Sequence, residues 1–499
     1  MDQWFAGNFE LCLDMCGTVT ERNPDILAQV ALLRARALLR LRRPDDALRV
    51  LESSPWPESG DVFVAARMLI GAALIRSNEV DRGVALLEEL QASATEAHRT
   101  IRSEIALTLA LGYFCRREVD AADRALDMVS ADSDIIYARA LEYRGWVASR
   151  RAEFERAVRY FRAALDALDR CKHYDRYLEA NCTHVLASLA VELLDPPTWE
   201  VVVQRRAAID WSAQEIRRQC FRITLSAATY AYEVEGADFV AINEAREAET
   251  LAPTPAARVE ALCRRAATAG RAAERLGQLD HTEEAYGLFC SLDVQRLDDH
   301  DKLVPLVLAK ELAIAGRVDR ARRVFSLYRE HCQTRSLLAV TGNPAGHAFE
   351  RLVDGLICEA ASERTRARRA YLDSFTQFRA IDYRRRAVHA ALRLGALLNE
   401  PELFDYADKA TRHLAPRSWL RQQVESLPTD VILRRLSAAR REVLHLLCRG
   451  FTVPEIATLR GRSSKTVANT VTEVYRAFKV RNRAELLTEL LRRGIIRPT

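Results

Sequence analysis

The 499-residue chain is poor in glycine and proline, with 19 and 15 residues respectively. Long stretches pass without a helix breaker and are filled by strong helix formers, so the chain reads as all-α. Lysine is rarer still: six occur, at 172, 302, 310, 409, 465 and 479, and no glycine is followed by one. That excludes a phosphate-cradling G-x-x-x-x-G-K-[ST] loop. No run of 18 apolar residues exists, so no membrane-spanning helix is expected. The opening MDQWFAGNFE has an early acid and no apolar h-region, which does not read as a secretory signal.

The eleven cysteines never form C-x-x-C. Cys12 and Cys16 stand one helical turn apart, but no further Cys or His lies near them in sequence. Buried thiols in a reducing cytoplasm are the expectation, not a metal site. The ten histidines include no H-E-x-x-H, and no G-x-S-x-G is present. Neither an enzyme nor a cofactor is therefore expected.

The net charge of +5 is unevenly spread. Of 74 basic and 69 acidic residues, the last 66 positions (from Arg434) hold 15 and 5; the remainder holds 59 and 64. All the excess positive charge thus sits at the C-terminal end. This points to a small polyanion-binding module on a larger, mildly acidic body.

The body repeats a pattern: an apolar helix, a short polar turn, then an amphipathic helix that opens with an acid and a small residue. It occurs in ALLRLRRPDDALRVLE (37–52), ALIRSNEVDRGVALLEEL (73–90), LGYFCRREVDAADRALDMV (111–129) and GWVASRRAEFERAVRYFRAAL (145–165), and returns at 309–328 and 356–375. Ala47, Gly83, Ala122, Ala157 and Ala321 mark the register. Two antiparallel helices approach closely only where side chains are small, and one hairpin cannot bury its apolar face alone. A period in the thirties therefore predicts stacked helical hairpins. These units resemble tetratricopeptide repeats; the turn AGRVDRA (315–321) carries the likeness best, and WFAGNFELCL (4–13) looks like another. Pro196-Pro197, Pro253 and Pro255 read as interruptions of the stack, and TGNPAG (341–346) as an exposed loop. Tyr230, Tyr232 and Trp211 could line a pocket for a protein or small-molecule effector, although aromatics at helical spacing are more often core.

The pattern fades near Pro416, and a compact unit begins at Leu436. Ser437 is a good N-cap, and Gly450 is placed to stop the helix that follows. Thr452 and Glu455 form a capping box around Pro454. Ile456, Ala457 and Leu459 form the inner side of this second helix. Gly461, in a tight turn, can take a left-handed conformation. Ser463 caps a third helix whose Val467, Val471, Val474 and Phe478 make one apolar stripe. Lys465, Asn469, Thr472 and Arg476 make a second stripe, every member able to donate a hydrogen bond. Asn482 caps a last helix with Leu486, Leu487, Leu490 and Leu491 on a broad apolar face.

This segment resembles the DNA-binding domain of the LuxR (GerE) family of bacterial transcription regulators. The shared residues are Leu436, Arg441-Glu442-Val443-Leu444, Gly450, Glu455-Ile456-Ala457, Ser463, Thr466-Val467, Val471, Val480, Arg483 and Glu485-Leu486. The likeness covers about 60 residues. Two departures stand out: Arg462 where the family has Leu or Val, and Ala468 where many members carry a basic residue. The resemblance implies that the helix 464–478 enters the major groove of double-stranded DNA, with base or phosphate contacts from Lys465, Thr466, Asn469, Thr470 and Thr472. Asn suits adenine and a threonine methyl suits thymine. Arg476, Lys479 and Arg481 read as phosphate clamps, with Ser463 at the entry of the helix. The resemblance also implies a homodimer on DNA through the last helix, at Leu487, Leu490 and Leu491.

The expectation is an all-α chain: a tetratricopeptide-like solenoid over 1–414, a linker over 415–434 and a helix-turn-helix domain over 435–499. It is expected to act in the cytoplasm as a DNA-binding regulator controlled through its repeats. The alternative is a repeat scaffold whose basic tail tethers DNA without reading sequence.

Overall fold

The computed structural model describes residues 9–492, apart from 20–22, 42, 94–98, 133, 173, 209–215, 272–274, 299–300, 333–343, 399 and 426–435. Among the described residues every regular element is helical. The chain divides into two compact units, Met1–Ala387 and Val388–Thr499.

The first unit runs α1 (Phe9–Gly17), α2 (Pro24–Arg40), α3 (Pro44–Ser53), α4 (Asp61–Arg76), α5 (Val80–Ser93), α6 (Arg99–Cys115), α7 (Val119–Asp127), α8 (Asp134–Arg150), α9 (Phe154–Arg170) and α10 (Arg176–Leu193). It continues with α11 (Pro196–Ala208), α12 (Arg217–Tyr230), α13 (Asp238–Leu251), α14 (Pro255–Arg271), α15 (Arg275–Cys290), α16 (Val304–Ile314), α17 (Val318–Leu327), α18 (Pro344–Ala360), α19 (Arg364–Ala380) and the first turn of α20 (Arg384–Leu398). Successive helices pack on one another from α1 to α11 and from α12 to α19. The even-numbered helices from α2 to α18 also pack on one another, forming an inner layer, while the odd-numbered ones cover it. That two-layer pattern is a stack of antiparallel hairpins.

The small residues that set the register are at the crossings. Ala47, Ala122, Ala157 and Ala321 are completely buried. A Cβ on Gly83 would meet the Gly71 carbonyl oxygen at 2.7 Å, and one on Gly145 would meet the Phe161 ring at 2.7 Å. The turns share a conformation that composition does not announce. Asn78, Arg117, Ala152, Gly316 and Ser362 all have φ between 58° and 76°. In each case the next residue's N–H donates to a carbonyl five residues back, as from Glu79 to Leu74 (2.9 Å) and Arg317 to Leu312 (2.8 Å). This is the Schellman closure of a helix, with a left-handed residue at its end.

The prolines do not interrupt the stack. Pro196 and Pro197 open α11, and Pro255 opens α14, because proline's fixed φ suits the first helical turn, where no N–H partner is missed. Pro344 likewise opens α18, so the second half of TGNPAG is helical; 341–343 lie outside the described residues, as do Trp4 and Trp211.

One cluster of charge lies deep in this unit. Arg385 donates to both oxygens of Glu192 (2.7 and 3.2 Å) and both of Glu233 (3.1 and 3.2 Å), and Arg386 donates to Glu192 (2.9 Å). Glu233 is carried by a π-helical turn, Ala231–Glu235, at the end of α12. Burial alone would raise the Glu192 carboxyl, but Arg385 and Arg386 outweigh it and hold its pKa at about 2.

In the second unit α20 continues, followed by α21 (Pro401–Thr411), α22 (Trp419–Glu425), α23 (Ala438–Cys448), α24 (Val453–Arg460), α25 (Ser464–Phe478) and α26 (Arg483–Arg492). The stretch expected as a linker thus contains α22 before the undescribed 426–435. The last four helices share one core: Leu436, Val443, Leu444, Leu447, Ile456, Ala457, the stripe of α25, Leu486 and Leu490.

Candidate nucleic-acid interface

Helix α25 is fixed at both ends. The Ser463 hydroxyl accepts from the Thr466 N–H (3.2 Å), and Lys479 closes the far end in the left-handed conformation. Val467, Val471, Val474 and Phe478 are at most 6% exposed and anchor its inner face. Ahead of it, Gly461 takes φ 59° and ends α24, so the two helices are joined by a three-residue turn. The Glu455 carboxylate accepts from both the Thr452 N–H (2.7 Å) and its hydroxyl (2.8 Å), which rigidifies the start of α24 and lowers the pKa of Glu455. The helix, turn and helix are therefore positioned by caps written into the sequence.

The opposite face of α25 is open. Ser463, Lys465, Thr466, Asn469, Thr472, Arg476, Lys479 and Arg481 are exposed, and Thr470 is half-buried. The threonines are not uniform donors. Thr470 donates its hydroxyl to the Thr466 carbonyl, and Thr472 to that of Ala468, both at 3.0 Å. In this geometry Thr472 presents its methyl group and an acceptor oxygen, not a donor. Thr466 and Ser463 share a hydrogen bond of 2.8 Å. Lys465, Asn469 and Arg476 are left as the outward donors of the stripe.

One acid sits on the same helix, and it is neutralised. Glu473 pairs with Arg440 of α23 at 2.6 Å. Lys479, expected to clamp phosphate, is ion-paired with Glu425 at the end of α22, and Glu425 is also bound by Arg421 (3.0 Å). Arg481 donates its backbone N–H to Glu485 (2.8 Å), leaving its guanidinium exposed.

Two expectations for this unit are corrected. Leu459 is 61% exposed, because the buried Ile456 and Ala457 centre the inner face between them and Arg460 falls on that line while Leu459 falls well outside it. Leu490 is fully buried beside Leu486 in the shared core, so it is not on the surface a second copy would meet. Leu487 is half-buried and Leu491 is 41% exposed.

In the body, Tyr230 is 3% exposed and stacks on Trp199 at 4.2 Å, and Tyr232 is 4% exposed, so both are core residues, not pocket walls. A polar group that sequence reading missed is Glu142. Burial pushes its carboxyl up to about 7, although a hydrogen bond from Asn181 and the charge of Arg139 pull it down. No group of three metal-ligating side chains is found, and no helix is long and apolar enough to cross a membrane, among the described residues. Ten described cysteines, Cys12 and Cys16 included, are unbridged.

No family model matches the chain, and no curated protein does. Among solved structures it is similar to a Rap protein complexed with competence and sporulation factor. That likeness has 12% identity and a TM-score of 0.40, and covers 69% of this chain and 99% of the other. It is also similar to the Cut9-Hcn1 hetero-tetramer of APC/C, with 11% identity and a TM-score of 0.26, covering 85% of this chain and 94% of the other. In class, the chain is all-helical among the described residues, and its first unit is a stack of antiparallel helical hairpins.

Proposed function

We propose that this protein is a helical-repeat interaction scaffold carrying a sequence-reading DNA module of LuxR type at its C-terminus, over 435–499. The observation that carries the reading is the α25 stripe. Lys465, Asn469 and Arg476 point to solvent from a helix locked by Ser463, by a glycine turn and by four buried apolar anchors. A rigid helix bearing outward donors suits the major groove, where amide and basic side chains discriminate base pairs. Asn469 is assigned to a base edge, Lys465 to a base or phosphate, Thr472 to a thymine methyl, and Arg476 and Arg481 to phosphates. Leu487 and Leu491 are assigned to a two-fold contact between copies on DNA. The hairpin stack is assigned to protein or small-molecule signals, and no catalysis is assigned to it.

A second reading is favoured by the extent of the repeats: a protein scaffold whose basic tail merely tethers DNA. Selection of bound duplexes from random DNA by the full chain separates the two. The reader predicts a palindromic motif, Asn469→Ala relaxing one position at a cost of about 1–3 kcal/mol, and Arg476→Ala weakening all sequences evenly. If no motif emerges and affinity merely collapses with salt, the tether stands.

A further inference from the structure

The body is acidic as a whole, yet one of its faces is not. Helix α17 is tied to the start of α19 through the capping residue Glu363, which accepts both from Arg322 of α17 and from Arg366 (2.7 Å). Glu283 similarly serves Arg317 (3.0 Å) and Arg320. Arg323, Arg364, Arg368 and Arg369 are exposed on the same two helices, with no carboxylate partner among the described residues. Eight arginines therefore meet four acids here: Glu283, Asp319, Glu363 and Asp373. No lysine contributes. The first turn of α19 holds arginines and no acid, although the helix dipole disfavours cations there. Arg366 is answered there by Glu363, but Arg364 has no internal carboxylate, so its placement breaks a local rule of helix design.

The chemistry of the face selects its partner. Protein interfaces are anchored by buried aromatic or aliphatic groups, and the large apolar side chains exposed near here are only two among the described residues, Ile314 at the end of α16 and Leu372 midway along α19. What the face offers is planar guanidinium groups repeated along α17 and α19, a pattern matched by the repeating phosphates of nucleic acid. We infer that the α17–α19 face is a second, sequence-independent nucleic-acid site that binds the sugar–phosphate backbone. The inference takes from the proposed function only that duplex DNA is the polymer this protein meets.

The test is arginine footprinting of the full wild-type chain. The protein is treated with phenylglyoxal, with and without a 40-base-pair duplex, and modified positions are read by mass spectrometry. The duplex should protect Arg364, Arg368 and Arg369. If it protects Arg476 and Arg481 but leaves those three as reactive as in the free protein, the inference is overturned and the C-terminal reader stands. If it protects the three but not Arg476 and Arg481, the inference stands and the reader fails. Protection by polyglutamate but not by the duplex assigns the face to an acidic protein and overturns the inference. A variant with Arg323, Arg364, Arg368 and Arg369 all changed to Gln should flatten the logarithmic salt dependence of duplex affinity by roughly 3. The same four changed to Lys should keep most of it. An unchanged slope in the Gln variant also overturns the inference.

Discussion

The two ends of this molecule treat charge in opposite ways. The hairpin stack takes charged groups inside: Glu192, Glu233, Glu311 and Glu350 are each at most 5% exposed, and Arg385 is 9% exposed. The core of the last four helices is wholly apolar, and among the described residues from Leu436 onward no polar side chain is buried. A buried charge is committed to its partner, while an exposed one remains available to a ligand. The body's central arginines thus read as architecture and the tail's as a recognition surface.

The contrast is broken most directly by exchanging the two kinds of arginine for alanine. Arg385→Ala leaves Glu192 and Glu233 buried without their cation, and should cost about 3–5 kcal/mol in a urea titration of the full chain. Arg476→Ala should change stability by no more than about 0.5 kcal/mol while weakening DNA binding. Equal losses from both would erase the distinction. Replacing Arg385, Glu192 and Glu233 together by apolar residues sharpens it: recovery of stability would mean that the cluster chooses a packing and does not add stability.

A second difference follows from pH. Burial raises the folded pKa of Glu142 to about 7, from an ordinary value of 4.5. The folded protein therefore prefers the protonated carboxyl. Glu142 contributes stability below about pH 4.5 that is lost as pH rises through about 7, on the order of 2 kcal/mol. His184 works in the other sense: burial depresses its pKa to about 4, so its contribution is lost as pH falls. Comparison of Glu142→Gln with wild type isolates the first effect. The variant should gain stability relative to wild type between pH 5 and pH 8, measured by thermal unfolding at each pH. A constant difference across that range would show that Glu142 is ionised in the folded chain. The α25 surface contains no such group, so Asn469→Ala should show no pH dependence of stability there.

These contrasts also mark what was legible in the sequence. Helix α25 was readable to the residue because a capping serine, a glycine turn and a four-member apolar stripe agree on one answer. The register of the stack was readable from Ala47, Gly83, Ala122 and Ala157, because only small residues fit a helix crossing. Leu459 was misjudged because it lies off the line that Ile456 and Ala457 set, and Leu490 because periodicity gives the direction of a side chain and not which neighbour covers it. The prolines were misread as breaks because proline ends one helix by the same rule that lets it begin the next. The Arg385 cluster left no signal: its partners lie 152 and 193 residues away, and pairing over such distances has no periodic trace.

The smallest expected effect tests the turns. Ala152 and Gly316 occupy the same left-handed position in two hairpins, with φ of 58° and 76°. An alanine there pays a steric penalty of about 1 kcal/mol that glycine avoids, partly offset by the extra freedom glycine has when unfolded. Ala152→Gly should therefore stabilise the protein by about 0.5 kcal/mol, and Gly316→Ala should destabilise it by about 1 kcal/mol, both read from urea midpoints. The two changes are mirror images at one backbone position, so they must have opposite signs. If both destabilise, the turn at Ala152 is not held in the left-handed conformation. The shared closure would then be a property of the Gly316 hairpin and not of the repeat.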